Sequence, residues 1–216
     1  MEKQIEKLLE KLNANGFDAC FVKTEEEAKT KALSYISDGM TVALGGSETI
    51  KKLGIPEVLK NGKYNYLDRA KEGLSAEERD KVLHDAFFAD LYYTSANAVI
   101  EDGTLFCVDG NGNRVAAMIY GPKNVVCVVG KNKIVPDLAS AEIRLKTVAS
   151  PLNTKRLNCE TYCQKTGKCI SLQNDEHNIY DGCASDRRIC CDYVLFSRQR
   201  VRGRIKVIVV DSDMGY

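Results

Sequence analysis

Cysteines are the residues whose number and spacing most clearly indicate chemistry in this sequence. Six of the nine lie between residues 159 and 191, in the pattern C-x3-C-x5-C-x13-C-x6-C-C. Four thiolates suit a tetrahedral zinc ion or a four-iron cluster. The pattern lacks the paired C-x2-C motifs of zinc ribbons and the C-x2-C-x2-C run of bacterial ferredoxins. Residues 159–191 are therefore predicted to form a metal-binding segment, and the spacing does not choose the metal.

The other three cysteines lie in apolar runs that are typical of buried strands. Cys20, Cys107 and Cys127 occur in "FDACFV", "TLFCV" and "NVVCVVG". Free cysteine is among the most buried residue types and packs as a small hydrophobic side chain. We therefore predict that these three belong to the core.

A glycine-containing turn offers a candidate anion site. In "LGGSETI" an apolar run is followed by two glycines, with Ser47 and Thr49 at the expected start of a helix. Exposed amides and the helix dipole favour a negative group at such a position. The alternative is an ordinary strand-to-helix turn in which Ser47 is the N-cap.

The run "TSANAVIEDGTLFCVDGNGNR" is rich in polar residues and could line a pocket for a small polar ligand. We expect Asn97, Asp109, Asn113 and Arg114 to contribute, with Arg114 able to pair with a carboxylate. The alternative is a pair of tight turns, because Asn, Asp and Gly are the usual turn residues. Arg114 would then form a surface ion pair.

Charge and the N-terminal stretch bear on partners and location. The net charge is +1 and no long run of like charge occurs, which argues against binding to nucleic acid or to a membrane surface. The stretch "MEKQIEKLLEKL" is charged and lacks the apolar segment of a signal peptide or a membrane span. We therefore expect a cytoplasmic protein, in whose reducing surroundings structural disulfides are rare.

Short apolar runs alternate with amphipathic stretches, which predicts βαβ units and a mostly parallel α/β sheet. Thr24 with Glu27 and Ser75 with Glu78 predict capping boxes at the starts of two helices. "DGNGNR" predicts a β-hairpin, and Pro151 is expected to stop the helix that precedes it. The apolar run "GRIKVIVVD" predicts a last strand that returns to the same sheet.

Several stretches together resemble one known family. "SANAVIEDGTLFCVDGNGNRVAAMIYGPKNVVCVVGKNKIV", followed by "RLKTVASPLNTKRL", resembles the LUD-domain family of lactate-utilisation C-type proteins, and "GGSETI" matches its early Gly-Ser-x-Thr stretch. The resemblance implies one α/β domain over residues 1–216. The implied fold is the Rossmann-like sheet of the ribose-5-phosphate isomerase and CoA-transferase superfamily. The resemblance also implies a link to the oxidation of L-lactate to pyruvate, with iron–sulfur partner subunits.

A subset of that family ends in a cysteine-rich tail of the form "C…TGKC…C.S..RIC". Here "CQKTGKC" and "CASDRRIC" match its two halves, with the insert "ISLQNDEHNIYDG" between them. The resemblance therefore implies metal ligands at Cys163, Cys169, Cys183 and Cys190. A longer loop costs little entropy, so the insert is compatible with a shared site. Cys159, Cys191 and His177 are additional candidates.

These patterns leave three functional hypotheses open. The first is a redox or accessory component of lactate utilisation, with an iron–sulfur cluster on the four cysteines and a small anionic or hydroxy-acid ligand. The second is a zinc-stabilised binding or regulatory module for a phosphate-bearing or CoA-like ligand at "GGSETI". The third is a transferase or isomerase, for which Glu48 and Glu101 are candidate nucleophiles in name only. Whether the chain is catalytic, and whether it forms a homo-oligomer, stays open.

Overall fold

The computed structural model describes residues 2–216, with side chains from residue 3 onward. Its strands, numbered in chain order, are β1 Asp18–Val22, β2 Thr41–Leu44, β3 Asn65–Leu67, β4 Leu91–Thr94, β5 Ala98–Ile100, β6 Thr104–Asp109, β7 Asn124–Gly130, β8 Ile134–Val135, β9 Asp192–Phe196 and β10 Ile205–Val210. Its α-helices are α1 Glu2–Ala14, α2 Glu25–Leu33, α3 Glu48–Lys52, α4 Ile55–Asn61, α5 Ala76–Asp85, α6 Asn113–Tyr120, α7 Leu138–Arg144, α8 Ser150–Arg156 and α9 Tyr162–Thr166.

The larger sheet has the strand order β1-β10-β7-β4-β2-β3, and all of its pairings are parallel. This confirms the predicted α/β fold with a mostly parallel sheet. β10 pairs with β1 on one side and β7 on the other, so the chain returns to this sheet as predicted. Because side chains alternate along a strand, Val207 packs into one apolar cluster and Ile208 into the other.

The smaller sheet has the order β8-β5-β6-β9 and mixes one parallel pairing with two antiparallel ones. β5 and β6 form a hairpin around Gly103, whose φ of +87° lies in the left-handed region that favours glycine. β9 comes after the cysteine segment and pairs with β6, so the C-terminal end of that segment is attached to the smaller sheet. The sequence did not predict this second sheet.

The predicted hairpin around "DGNGNR" is wrong, because β6 is followed by helix α6. Val115 and Met118 are both buried, and residues three apart share one helix face. Gly112 has a φ of +70°, which allows the chain to turn before the helix. The carboxylate of Asp109 accepts the amides of Arg114 and Val115 at 2.9 and 3.0 Å. The turn residues therefore start a helix.

The predicted helix stop at Pro151 is also wrong. The helical path runs from α7 through a π turn at Leu145–Ala149 into α8, and Pro151 lies in the first turn of α8. Pro151 comes just after the π turn, where the regular bonding pattern of the α-helix is already interrupted, so its missing N–H is tolerated. The path brings Asn153 and Arg156, both on α8, to the wall of a polar cavity.

The predicted helix starts are confirmed. Thr24 with Glu27 and Ser75 with Glu78 both form complete capping boxes. Within the described residues, no helix combines the length and apolar character that crossing a membrane requires.

Candidate functional site

A cavity of about 80 Å³ lies where β2 and β4 end. In open parallel sheets, ligands bind outside the carboxyl ends of the strands. Four predicted ligand residues line this cavity, namely Ser47, Asn97, Asp109 and Arg114. Asn113 instead lines a neighbouring groove, and Thr49 is fully buried behind the cavity.

Arg114 holds the cavity wall together. Its guanidinium donates to Asp109 Oδ1 at 3.0 Å, to the Ser95 carbonyl at 2.8 Å, to Asn97 Oδ1 at 3.0 Å and to the Val108 carbonyl at 2.7 Å. These contacts use most of its five N–H groups. The carboxylate that Arg114 pairs with is therefore Asp109 of the same chain, in a buried ion pair rather than at the surface.

Lys133 is the site residue that the sequence reasoning missed. Its side chain is 2% exposed, and its Nζ donates to Thr49 Oγ1 at 3.1 Å, Ser95 Oγ at 3.0 Å and the Ala96 carbonyl at 3.3 Å. Burial, with a smaller effect from the nearby Arg144, lowers the pKa of this amine from 10.5 to about 7. Lys133 can therefore gain or lose a proton near neutral pH.

The positive charges of Lys133, in the cavity wall, and of the nearby Arg144 lack an acidic partner among the described residues. Lys133 contacts only neutral oxygens, and Arg144 donates to the Asn132 and Asn97 carbonyls. Neither side chain forms an ion pair within residues 3–216. Burying an unpaired charge is costly, so a small anion in this cavity would be stabilised.

The outer rim of the cavity carries both a negative and a positive side chain, Glu48 and Arg156. Ser47 Oγ accepts the Ile50 amide and caps α3, which agrees with the simpler of the two sequence interpretations. Glu48 Oε1 lies 3.5 Å from Arg156 Nε, and that nitrogen also donates to the hydroxyl of Tyr216 at 2.7 Å. Glu101, the other nominal nucleophile, does not line the cavity.

A second cavity gathers the four predicted metal ligands. Its walls include the side chains of Cys163, Cys169, Cys183 and Cys190. Thr161 Oγ1 lies 3.4 Å from the Cys163 sulfur, and Ser171 Oγ donates to the Cys169 sulfur at 3.4 Å. The hydroxyl of Tyr193, also in this wall, is buried and has no hydrogen-bond partner in the described chain.

The additional candidates lie elsewhere. Cys159 and Cys191 are not in the wall of the second cavity, and Cys191 is exposed. His177 Nε2 lies 3.3 Å from Glu142 Oε1. Across residues 3–216, no group of three or more His, Cys, Asp or Glu side chains is arranged to hold a single metal ion.

The predicted burial is confirmed for Cys107 and Cys127 and only in part for Cys20. Cys107 and Cys127 are buried in the main apolar cluster, and Cys20 is partly buried against the other cluster. Burial raises the pKa of all three thiols.

The sequence pattern of the LUD domain matches residues 5–210. The chain belongs to the LUD domain family. At the level of the family, this LUD domain protein is associated with lactate utilisation. The comparison with curated proteins gives no match.

Three solved structures are similar to this LUD domain protein over half of its chain or more. A DUF162 family protein from Deinococcus radiodurans is similar over 97% of both chains, with 16% identity and a TM-score of 0.50. A D-ribose-5-phosphate isomerase in complex with phospho-erythronic acid is similar over 53% of this chain and 54% of its own, with 22% identity and a TM-score of 0.36. The eIF2B beta of Chaetomium thermophilum is similar over 64% of this chain and 48% of its own, with 18% identity and a TM-score of 0.36.

Proposed function

We propose that this LUD domain protein is a redox or accessory component of lactate utilisation that binds a small 2-hydroxy- or 2-keto-acid anion in the cavity beside Lys133. The observation that carries the proposal is the uncompensated positive charge of Lys133, which lies buried in the cavity wall with only neutral partners. A carboxylate bound there would supply the missing counter-charge and form charge-assisted hydrogen bonds.

Two further donors suit the rest of such a ligand. Asn97 Oδ1 already accepts from Val108 and Arg114, which leaves the amide NH2 of Asn97 free to donate. The Ser47 oxygen accepts a backbone amide, so its hydroxyl proton is also free. A hydroxyl or keto oxygen beside the carboxylate could accept from these two groups.

Lys133 also gives the site a group for proton transfer. An amine with a pKa of about 7 exchanges a proton readily at neutral pH. A bound carboxylate would hold the amine in its protonated form, from which it could donate a proton to the keto oxygen of a 2-keto acid. The electron acceptor for oxidation would come from a partner, and iron–sulfur subunits, a cytoplasmic location and self-association belong to the same proposal.

Calorimetric titration with L-lactate and with pyruvate tests the binding. Lys133→Met keeps the length of the side chain and removes the charge, so it should weaken binding by about tenfold or more. Lys131→Met is the matched control, because Lys131 lies two residues away at the surface and pairs with Asp211. Absence of binding in the unmodified protein, or an equal effect of both variants, would refute the proposal.

The four cysteines are proposed to hold an iron–sulfur cluster, with zinc as the alternative. The donor set supports this, because four thiols line one cavity and hydroxyl groups lie near two of the sulfurs. Such hydrogen bonds tune a thiolate-bound metal. When bound, a cluster would supply one-electron transfer.

Metal and sulfide analysis of anaerobically purified protein, with its visible absorbance spectrum, tests this second proposal. Cys169→Ser should lower the metal content, whereas Cys159→Ser and Cys191→Ser should leave it unchanged, because those thiols lie outside the cavity. Iron with sulfide supports the cluster, and zinc alone supports the alternative. Protein without either metal would refute a metal site.

A further inference from the structure

A groove of about 530 Å³ opens beside the Lys133 cavity and shares with it the wall at Gly46, Asp109 and Arg114. Five arginines line this groove, and each comes from a different part of the chain. They are Arg69, Arg79, Arg114, Arg156 and Arg188. We refer to it as the arginine groove.

The acidic residues of the arginine groove do not balance this charge. Asp109 is the only acid in its lining, and both oxygens of Asp109 are already used by Arg114 and the start of α6. Arg156 lies near Glu48 at the cavity rim. The chain as a whole has a net charge of only +1, so the positive charge here is local.

Arg69 and Arg79 are the groove arginines with the most unused hydrogen-bond donors. Within residues 3–216, neither forms an ion pair, and neither guanidinium donates a hydrogen bond to a protein oxygen. Arg69 is half-buried and lies against the backbone of Gly46, so close that an added Cβ there would be 2.9 Å from its Nη2. Glycine at position 46 therefore permits the guanidinium to sit at the junction of groove and cavity.

Neutral donors surround these charges. The groove wall also includes Asn111, Asn113 and the backbone of Gly110 from the loop between β6 and α6. Side-chain amides can donate to anionic oxygens. The volume of the groove falls within the range of small-molecule sites, about 300–1,000 Å³.

We propose that the arginine groove binds a phosphate-bearing small molecule, at a site separate from the carboxylate site at Lys133. Guanidinium groups match the geometry of phosphate oxygens and pair with them in a bidentate manner. Several converging arginines suit a dianion or a diphosphate better than a single carboxylate. The proposal rests on residues other than Lys133, so it does not depend on the binding of a hydroxy acid.

Pyrophosphate is the probe that tests the arginine groove, in calorimetric titrations of the full chain at low ionic strength. Arg69→Gln and Arg79→Gln should each weaken pyrophosphate binding by about tenfold, the loss expected for one charged hydrogen-bonding partner. Arg200→Gln is the matched control, because Arg200 is an exposed arginine that lies outside the groove. It should change the affinity by less than about twofold.

Two comparisons separate this proposal from that for Lys133. L-lactate binding should survive the double variant Arg69→Gln/Arg79→Gln, and pyrophosphate binding should survive Lys133→Met. Titration of the unmodified protein and of the same variants with ADP then tests whether an organic phosphate binds at the same arginines.

The proposal is overturned if the unmodified protein binds neither pyrophosphate nor ADP. It is also overturned if Arg200→Gln weakens binding as much as the two groove variants do, because the attraction would then be a general effect of charge. Both groove arginines are at least partly exposed, so circular dichroism should show that the variants are folded.

Discussion

Replacing Lys133 should make the protein more stable in acid and leave its stability nearly unchanged in alkali, while weakening ligand binding. The buried amine has a pKa of about 7, compared with 10.5 for an ordinary lysine. Keeping the amine protonated in the folded state therefore costs about 5 kcal/mol, because each unit by which the pKa is lowered corresponds to about 1.36 kcal/mol. Lys133→Met removes this cost, and it also removes three hydrogen bonds that contribute at every pH.

The pH dependence has a definite sign. Between about pH 7 and pH 10.5 the unfolded chain keeps the Lys133 proton and the folded chain has lost it. Because the unfolded state binds more protons, the free energy of unfolding rises with pH through this window. Below about pH 7 both states are protonated, and the full cost remains. The stability of Lys133→Met relative to the unmodified protein should therefore fall by about 3 kcal/mol from about pH 6 to about pH 9.5.

Urea denaturation followed by circular dichroism at several pH values measures this difference. Comparing the two proteins at each pH cancels the titration of other groups, and Lys131→Met controls for the loss of a surface lysine. Saturating L-lactate should reduce the pH dependence of the unmodified protein, because a bound anion stabilises the protonated amine. A stability difference that is independent of pH, or that grows with pH, would refute the buried, uncompensated charge on which the proposed function rests.

Three other substitutions test separate parts of the structure. Asp109→Asn should lower the free energy of unfolding by about 3 kcal/mol, because it leaves the buried Arg114 without its charged partner. Urea denaturation measures this loss, and a loss below about 1 kcal/mol would contradict the pairing. Gly46→Ala should weaken pyrophosphate binding at an unchanged melting temperature, because the new Cβ displaces Arg69; unchanged affinity would exclude Arg69 from the site. Tyr193→Phe should leave the free energy of unfolding unchanged or raise it by about 1 kcal/mol, because the lost hydroxyl has no partner in the described chain. A clear decrease in the free energy of unfolding, measured by urea denaturation, would show that the hydroxyl does have a hydrogen-bond partner.

Features that depend on neighbouring residues were predictable from the sequence. Capping boxes are set by residues three apart, and those at Thr24 and Ser75 form as predicted. The hairpin prediction at "DGNGNR" failed because Asn-Gly and Asp-Gly indicate a turn but not whether a strand or a helix comes after it. Val115 and Met118 are buried on one face, which favours a helix. That burial depends on packing against β4 and β6.

The site was predictable only in part, for a related reason. Asn97, Asp109 and Arg114 lie in one polar run, so the sequence itself suggested that they meet. Lys133 carries no such signal, since lysine is almost never fully buried. Its burial requires Thr49 and Ser95, which are 84 and 38 residues away along the chain, to lie beside it.

The cysteine segment forms part of the wall of the arginine groove. The Cys191 amide donates to the Asp109 carbonyl at 2.8 Å, at the point where β9 begins to pair with β6. Gly110 lies so close to Ile189 that an added Cβ would be 3.2 Å from its Cα. Arg188 and Ile189 both line the arginine groove. The groove therefore has its full wall only when this end of the cysteine segment is folded against β6.

This arrangement connects the two proposed centres through a single residue. The Arg188 guanidinium donates to the carbonyl of Cys190 at 2.9 Å and to that of Tyr180 at 2.6 Å, and Cys190 lines the four-cysteine cavity. The residue whose sulfur would hold a metal in that cavity therefore also supplies a carbonyl that accepts from Arg188. The arginine groove should therefore respond to the state of the cysteines. Lys133 should respond much less, because its amine is held by Thr49, Ser95 and Ala96, which come after strands of the larger sheet.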